Sequence, residues 1–176
     1  MAPGYKISLY GNQYLTSEAL YQACRFPDYP EIQKQIINQH SPMYAKDISK
    51  KYLSFTRKNW NEDRIAIMRW AIRIKLLNNW YSFGNLLKST CDKVIVEHST
   101  KDDFWGAFRQ GNEYVGVNAL GRLLMQLRED YLKLETKALI SIAPPNIDNF
   151  RLLGTEVGTL KFNISEQLLG ENEQLW

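Results

Sequence analysis

A chain of 176 residues is long enough for one domain with a sizeable core, and its 44% hydrophobic and 23% charged content is ordinary for a globular protein. A net charge of +3 is too small to argue for a nucleic-acid partner by itself. Cys24 and Cys91 lie far apart with only His40 and His98 for company, which argues against a structural zinc site or a disulfide framework and makes a reducing cytosol the expected compartment. No apolar run reaches the length of a membrane span, and the first residues lack the pattern of a signal peptide.

From the N-terminus, Lys6 to Tyr10 alternates and predicts a short half-buried strand, Gly11-Asn12 a turn, and Gln13 to Leu15 a return strand. Thr16 or Ser17 is placed to cap a helix from Glu18 to Phe26, with Glu18 in the first turn, where negative charge is favoured. Glu18, Gln22 and Arg25 share one side of that helix, opposite Leu20, Ala23 and Cys24. Such a stripe is commonly a solvated face. The functional alternative presents a carboxylate, an amide and a guanidinium together to a polar ligand, with Arg25 suited to phosphate.

Asp28 is placed to cap the next helix, about Tyr29 to Asn38, and Ser41-Pro42 to start a third, Met43 to about Lys51. Lys46, Lys50, Lys51, Arg57 and Lys58 form a basic cluster, either a solvated face or an attractor of phosphates. Trp60 to Asn78 reads as a long helix with the apolar stripe Ile65, Met68, Ile72 and Leu76. Lys75 falls near the centre of that stripe. It either snorkels to the surface or sits in a pocket with an acid partner. Ser82 is expected to cap a short helix, Phe83 to Thr90, that buries Leu86 and Leu87.

Val96 to Gly106, VEHSTKDDFWG, is the candidate centre of the molecule. Lys93 to Val96 reads as a buried strand that breaks into a turn bearing Glu97, Asp102 and Asp103 beside Phe104, Trp105 and Gly106. Acids at the end of an apolar run, next to aromatics able to stack on a flat ligand, make a candidate site. The structural alternative is solvated acids on a turn, with Trp105 closing the core. Gly106 to Val117 reads as a loose connection. Asn118 is placed to cap a helix from Ala119 to about Thr136, in which Leu120, Leu123, Leu124, Leu127, Tyr131 and Leu134 recur at helical spacing. Gly121 costs that helix about 1 kcal/mol against Ala, which predicts close packing of another backbone, or of a ligand, at that turn. From Ala143 the character changes. Pro144-Pro145 excludes helix, and Phe150 to Gly154 reads as extended. Residues 1–142 are thus read as the domain, and 143–176 as an extended arm packing on it.

Taken in order, TSEALYQACRF (16–26), Ser41-Pro42-Met43, Trp60, Met68 to Lys75, Thr90, VEHSTKDDFWG (96–106) and NALGRLLMQLRE (118–129) resemble the NADAR, or YbiA-like, family. The resemblance covers about residues 5 to 135. It implies a single α+β domain, predominantly helical, with a small β-sheet. It also implies an N-glycosidase that cleaves the bond between ribose C1 and a base nitrogen. Substrates associated with the family are phosphoribosylamino-pyrimidine intermediates of riboflavin synthesis and ADP-ribose on guanine. No metal or cofactor is implied. Two departures stand out. The family often has Lys where this chain has Arg25, and Arg cannot form a Schiff base with ring-opened ribose. Family chains also usually carry a strand and a Ser-Asn turn ahead of the segment matching residues 1–4. Either the start is trimmed or the site lacks that wall.

Breaking an N-glycosidic bond builds positive charge on C1 and the ring oxygen, and a carboxylate stabilises that charge or activates the attacking water. On the family reading, Glu18 or Glu97 is the C1-facing carboxylate and Asp102 the third option. Trp105 stacks on the base or shapes its pocket. Arg25 and Lys75 neutralise phosphate or orient an acid. Gln22, Trp60, Phe104, Gly106 and Gly121 belong to the substrate-binding set. Asn118 lies where backbone N–H groups at a helix start are able to bind an anion. The expected partner is a small ribosylated molecule. ADP-ribosylated nucleic acid is an alternative hinted at by the Lys46 to Lys58 cluster, and a non-catalytic module for ADP-ribose or NAD is the rival class. The reading requires Glu18, Lys75, Glu97 and Trp105 to converge on one cleft.

Overall fold

A computed structural model describes residues 4–134 and 138–164. The fold is α+β and predominantly helical, as expected, but its strands pair only in twos, giving four separate two-stranded sheets among the described residues. The chain divides into two compact units, residues 1–80 with 137–176 and residues 81–136.

The first unit opens with β1 (Ile7–Leu9) and β2 (Asn12–Tyr14), antiparallel with Ile7 opposite Tyr14. The turn is Tyr10-Gly11, one residue earlier than the sequence suggests. Both residues have positive φ, 49° and 71°, which matches the right-handed twist of the flanking strands. Helix α1 (Ser17–Ala23) starts at Thr16, whose Oγ1 accepts from Ala19 N–H at 3.0 Å, and ends sooner than expected. Helix α2 (Pro30–Ile37) is entered through Pro30 in its first turn, with no side-chain bond from its cap residue Tyr29. Asp28 is therefore not the cap; its Oδ1 accepts from Asn149 Nδ2 at 2.8 Å. Helix α3 (Pro42–Lys51) is capped by Ser41 as expected.

Helix α4 (Trp60–Asn78) has the predicted bounds, and Met68, Ile72 and Leu76 of the predicted stripe are buried, but Ile65 is not and other faces are covered as well. Ile65 is 38% exposed, while Ile67, Met68, Trp70, Ala71, Ile72, Ile74, Leu76 and Leu77 are all buried. The C-terminal half of the helix is covered nearly all round, so a single-face stripe understates it. One cover is β1, tied to the helix end by Ser8 N–H donating to Asn78 Oδ1 and Asn79 Nδ2 donating to Lys6 O, both at 2.9 Å. Helix α1 packs against α2, α3 and α4. Ala19, Phe26, Ile32, Ile36 and Ala45 form a core cluster, with Tyr29, Ile48 and Tyr52 closing over it.

Helix α5 (Trp80–Ser89) starts on the last residue before the second unit and otherwise belongs to that unit. Ser82 sits inside this helix and does not cap it, and Leu86 is 45% exposed, contrary to expectation. Lys93 to Val96 is not a strand. Among the described residues this run pairs with no strand; Lys93 and Val94 are exposed and Ile95 and Val96 half-buried. The predicted loose connection is instead a hairpin of β3 (Phe108–Gln110) and β4 (Glu113–Val115), turning at Gly111 with φ 61°. Helix α6 (Ala119–Leu134) carries the predicted leucine repeat. The expected end near Thr136 lies outside the described residues.

The C-terminal segment returns to the first unit. Strand β5 (Leu139–Ile142) pairs with β8 (Leu160–Asn163), and β6 (Arg151–Leu152) with β7 (Thr155–Glu156). The second pair turns at Leu153-Gly154, with φ 53° and 83°. The final Leu175-Trp176 lies outside the described residues.

Candidate functional site

In the first unit the polar stripe of α1 is not a solvated face. Gln22 is buried and Glu18 and Arg25 are half-buried. Gln22 Nε2 donates to Glu18 Oε1 at 2.8 Å, one helical turn apart, which fixes the carboxylate against the helix. The side-chain Oε1 of Gln22 is buried and has no hydrogen-bond partner among the described residues. Gln22 thus touches Glu18 and is shut off from solvent.

Arg25 is held at three points. Its Nε donates to Thr56 Oγ1 at 2.9 Å, its guanidinium lies 4.9 Å from the centroid of Trp60, and its carbonyl accepts from Arg57 N–H at 2.9 Å. Trp60 is buried, and Tyr21 meets its ring at 5.1 Å with the planes 44° apart. Contacts with Arg25 and Tyr21 therefore take up ring surface that the sequence reading reserves for substrate. Burial lowers the pKa of Arg25, with Arg64 adding to the effect and Tyr21 opposing it. An arginine so placed stays charged at neutral pH, because its ordinary value is so high. Burial, and next the carboxylate of Glu18, push the Tyr21 hydroxyl well above its ordinary value, so it remains a neutral hydroxyl. Lys75 does not snorkel. It is 2% exposed, with its ammonium 4.5 Å from the ring centroid of Tyr5.

In the second unit the acidic loop is a folded knot. Ser99 Oγ accepts from the N–H of Asp102 at 2.9 Å, and Asp102 Oδ1 accepts from Trp105 N–H at 2.9 Å and Phe104 N–H at 3.2 Å. One carboxylate oxygen of Asp102 therefore serves the loop's own backbone. Phe104 and Trp105 meet edge to face at 5.1 Å. Gly106 sits where a Cβ would come within 2.5 Å of Glu97 O, so no larger residue fits without displacing the loop.

Asn118 is the bracket of this knot. Its Oδ1 accepts from Glu97 N–H at 3.0 Å and its Nδ2 donates to Ile95 O at 2.9 Å. It bonds the backbone on either side of Val96, and Arg128 Nη1 donates to Lys93 O at 2.9 Å, so side chains satisfy part of this run's backbone where a neighbouring strand would otherwise do so. The anion-binding reading of the α6 start does not hold. The N–H groups of Val117, Asn118, Ala119 and Leu120 donate to the carbonyls of Asp103, Gly106, Phe104 and Trp105. Gly121 packs on the carbonyl of Ile95 and the amide of Asn118, so the predicted close approach is that of another backbone.

The candidate residues thus form two sets. Glu18, Gln22, Arg25, Trp60 and Lys75 belong to the first unit, and Glu97, Asp102, Phe104, Trp105, Gly106, Asn118 and Gly121 to the second. Tyr21 and Thr56 complete the first set and Ser99 the second. Tyr21 was findable, lying one turn beyond Glu18 on the same helix. Thr56 and Ser99 carry no signal in spacing, since their contacts are made through loop conformation. No group of His, Cys, Asp and Glu among the described residues is arranged to hold a metal ion, and no helix there is long and apolar enough to cross a membrane.

The chain and its fold have counterparts in known proteins. The chain is 36% identical over 123 residues to the N-glycosidase YbiA of Shigella flexneri, covering 70% of this chain and 74% of that one. It is 35% identical over 124 residues to a riboflavin biosynthesis protein of Vibrio vulnificus, of which it spans 32%. The NMR structure of the Escherichia coli protein YbiA superposes with a TM-score of 0.64 at 32% identity, covering 76% of each chain. The NADAR domain profile matches residues 3–132. The chain belongs to the NADAR domain family.

Proposed function

We propose that this protein is an N-glycosidase that hydrolyses the bond between ribose C1 and a base nitrogen, in a phosphoribosylamino-pyrimidine or ADP-ribosyl-guanine type of substrate. The observation that carries the reading is the α1 stripe. A half-buried carboxylate, Glu18, is locked by Gln22 on α1, and just past the end of that helix Arg25 is held over an indole. The names of the YbiA relatives support the reaction class, and that of the Vibrio protein supports a riboflavin-pathway substrate.

The step consumes one water. Its oxygen bonds to C1, the C1–N bond breaks, and the base leaves with a proton on nitrogen. Glu18 stabilises the developing positive charge at C1 or takes the proton from the attacking water. Glu97 and Asp102 are the alternative carboxylates, and one oxygen of Asp102 is already committed to the backbone. Arg25 binds phosphate, and its charge excludes a Schiff-base route at that position. Lys75 neutralises phosphate or orients an acid, and Trp105 holds the base.

The test is mass spectrometry of reactions with phosphoribosylamino-pyrimidine, ADP-ribosyl-guanosine and NAD. Free base from one of them, lost in Glu18→Ala or Glu97→Ala, supports hydrolysis. Saturable binding without release replaces it with a nucleotide-binding module.

A further inference from the structure

Residues 148–157 lie beyond the NADAR match, which ends at residue 132, yet they reach the part of the first unit that carries Arg25. Two buried side chains make the link. Gln33, 0% exposed, donates from Nε2 to Ala23 O at 3.1 Å and to Arg151 O at 3.0 Å, and its Oε1 accepts from Leu153 N–H. It therefore ties the last residue of α1 to the β6–β7 hairpin. Arg57 is the second link. Its backbone N–H donates to Arg25 O, its Nη2 donates to Asp148 O, and the same nitrogen pairs with Asp63 Oδ2 at 3.0 Å. The residue before it, Thr56, receives the Arg25 side chain.

The hairpin has anchors of its own. Phe150 meets Trp70 edge to face at 5.0 Å, and Asn149 Nδ2 reaches Asp28. The carbonyls on either side of Cys24, those of Ala23 and Arg25, are thus each held by a residue bonded to the C-terminal segment. A helix as short as α1 has few internal hydrogen bonds to fix its end, so these outside bonds decide where Arg25 stands.

We propose that residues 148–157 are a brace that positions Arg25 for an anionic ligand, with Gln33 and Arg57 as its positioning residues. The proposal rests on Arg25 as the phosphate-binding residue of the function proposed above. The test uses the full chain and the calorimetric affinity for ribose 5-phosphate, which needs no turnover. Gln33→Met keeps the volume and removes three hydrogen bonds. It is expected to weaken binding about tenfold, as is Arg25→Ala, while the double variant binds no more weakly than Arg25→Ala alone. A general loss of structure would instead add to the Arg25→Ala effect. Should Gln33→Met fail to fold, Asn149→Gly, which tolerates the φ of 50° there and removes an exposed bond, is expected to weaken binding about two- to threefold. The proposal is overturned if the wild type does not bind ribose 5-phosphate, if the variant used binds like wild type, or if the losses multiply. Base release by the wild type, measured separately, decides the glycosidase reading, so the two failures are told apart.

Discussion

Gln22 holds Glu18 through a 2.8 Å hydrogen bond while its own side-chain Oε1 lies buried without a partner among the described residues. Leaving a buried acceptor unsatisfied costs about 1–3 kcal/mol, so this residue is kept at some expense to stability. Gln22→Met removes both the donor and the stranded carbonyl at similar volume. The expected result is a melting temperature equal to or above wild type, with kcat reduced roughly tenfold as Glu18 loses its orientation. Parallel loss of stability and activity would mean that Gln22 is a core residue only.

Asn118 has φ 52° and two side-chain bonds to the extended run before the acidic loop. Asn118→Gly keeps the backbone conformation and loses both bonds, whereas Asn118→Ala adds left-handed strain. Chemical denaturation should show a loss of about 2–3 kcal/mol for Gly and a larger one for Ala. Gly121→Ala pushes a methyl into the carbonyl of Ile95 and should cost about 1–3 kcal/mol, despite the better helix propensity of Ala.

Burial raises the pKa of Cys24 far above its ordinary 9.0, with Arg57 opposing, and burial also raises those of Tyr14 and Tyr21 above 10.0. Below these ordinary values both folded and unfolded chains are protonated, and the stabilisation is fully present. As pH rises past about 9, only the unfolded chain ionises, so stability must fall. Thermal melts between pH 7 and 10.5 should drop above about pH 9, and the drop should be shallower in Cys24→Ala. With a thiol reagent, the exposed Cys91 should react at once and Cys24 only on unfolding.

Local chemistry made part of this structure legible in the sequence. Thr16 and Ser41-Pro42 start their helices because a hydroxyl cap, and a proline in the first turn, satisfy the helix start with no help from elsewhere. The i, i+4 spacing likewise puts Glu18 and Gln22 on one side of their helix, where they meet. What could not be read depends on partners distant in sequence. Lys93 to Val96 has the composition of a strand, but the side chains of Asn118 and Arg128 satisfy part of its backbone where a neighbouring strand would otherwise do so. The N–H groups opening α6 look available until the carbonyls of residues 103–106 fold back onto them. Spacing alone leaves Lys75 open between the surface and a pocket, because nothing local foretells that Tyr5 lies against its ammonium.

The most direct test of the central claim is the rate of free-base release from a phosphoribosylamino-pyrimidine by wild type and by Glu18→Gln, which keeps size and hydrogen bonding but not charge. The account predicts turnover by wild type and a fall of roughly a hundredfold or more in kcat for the variant, with its melting temperature little changed. Equal rates in the two proteins, or tight binding with no base released by either, would contradict it.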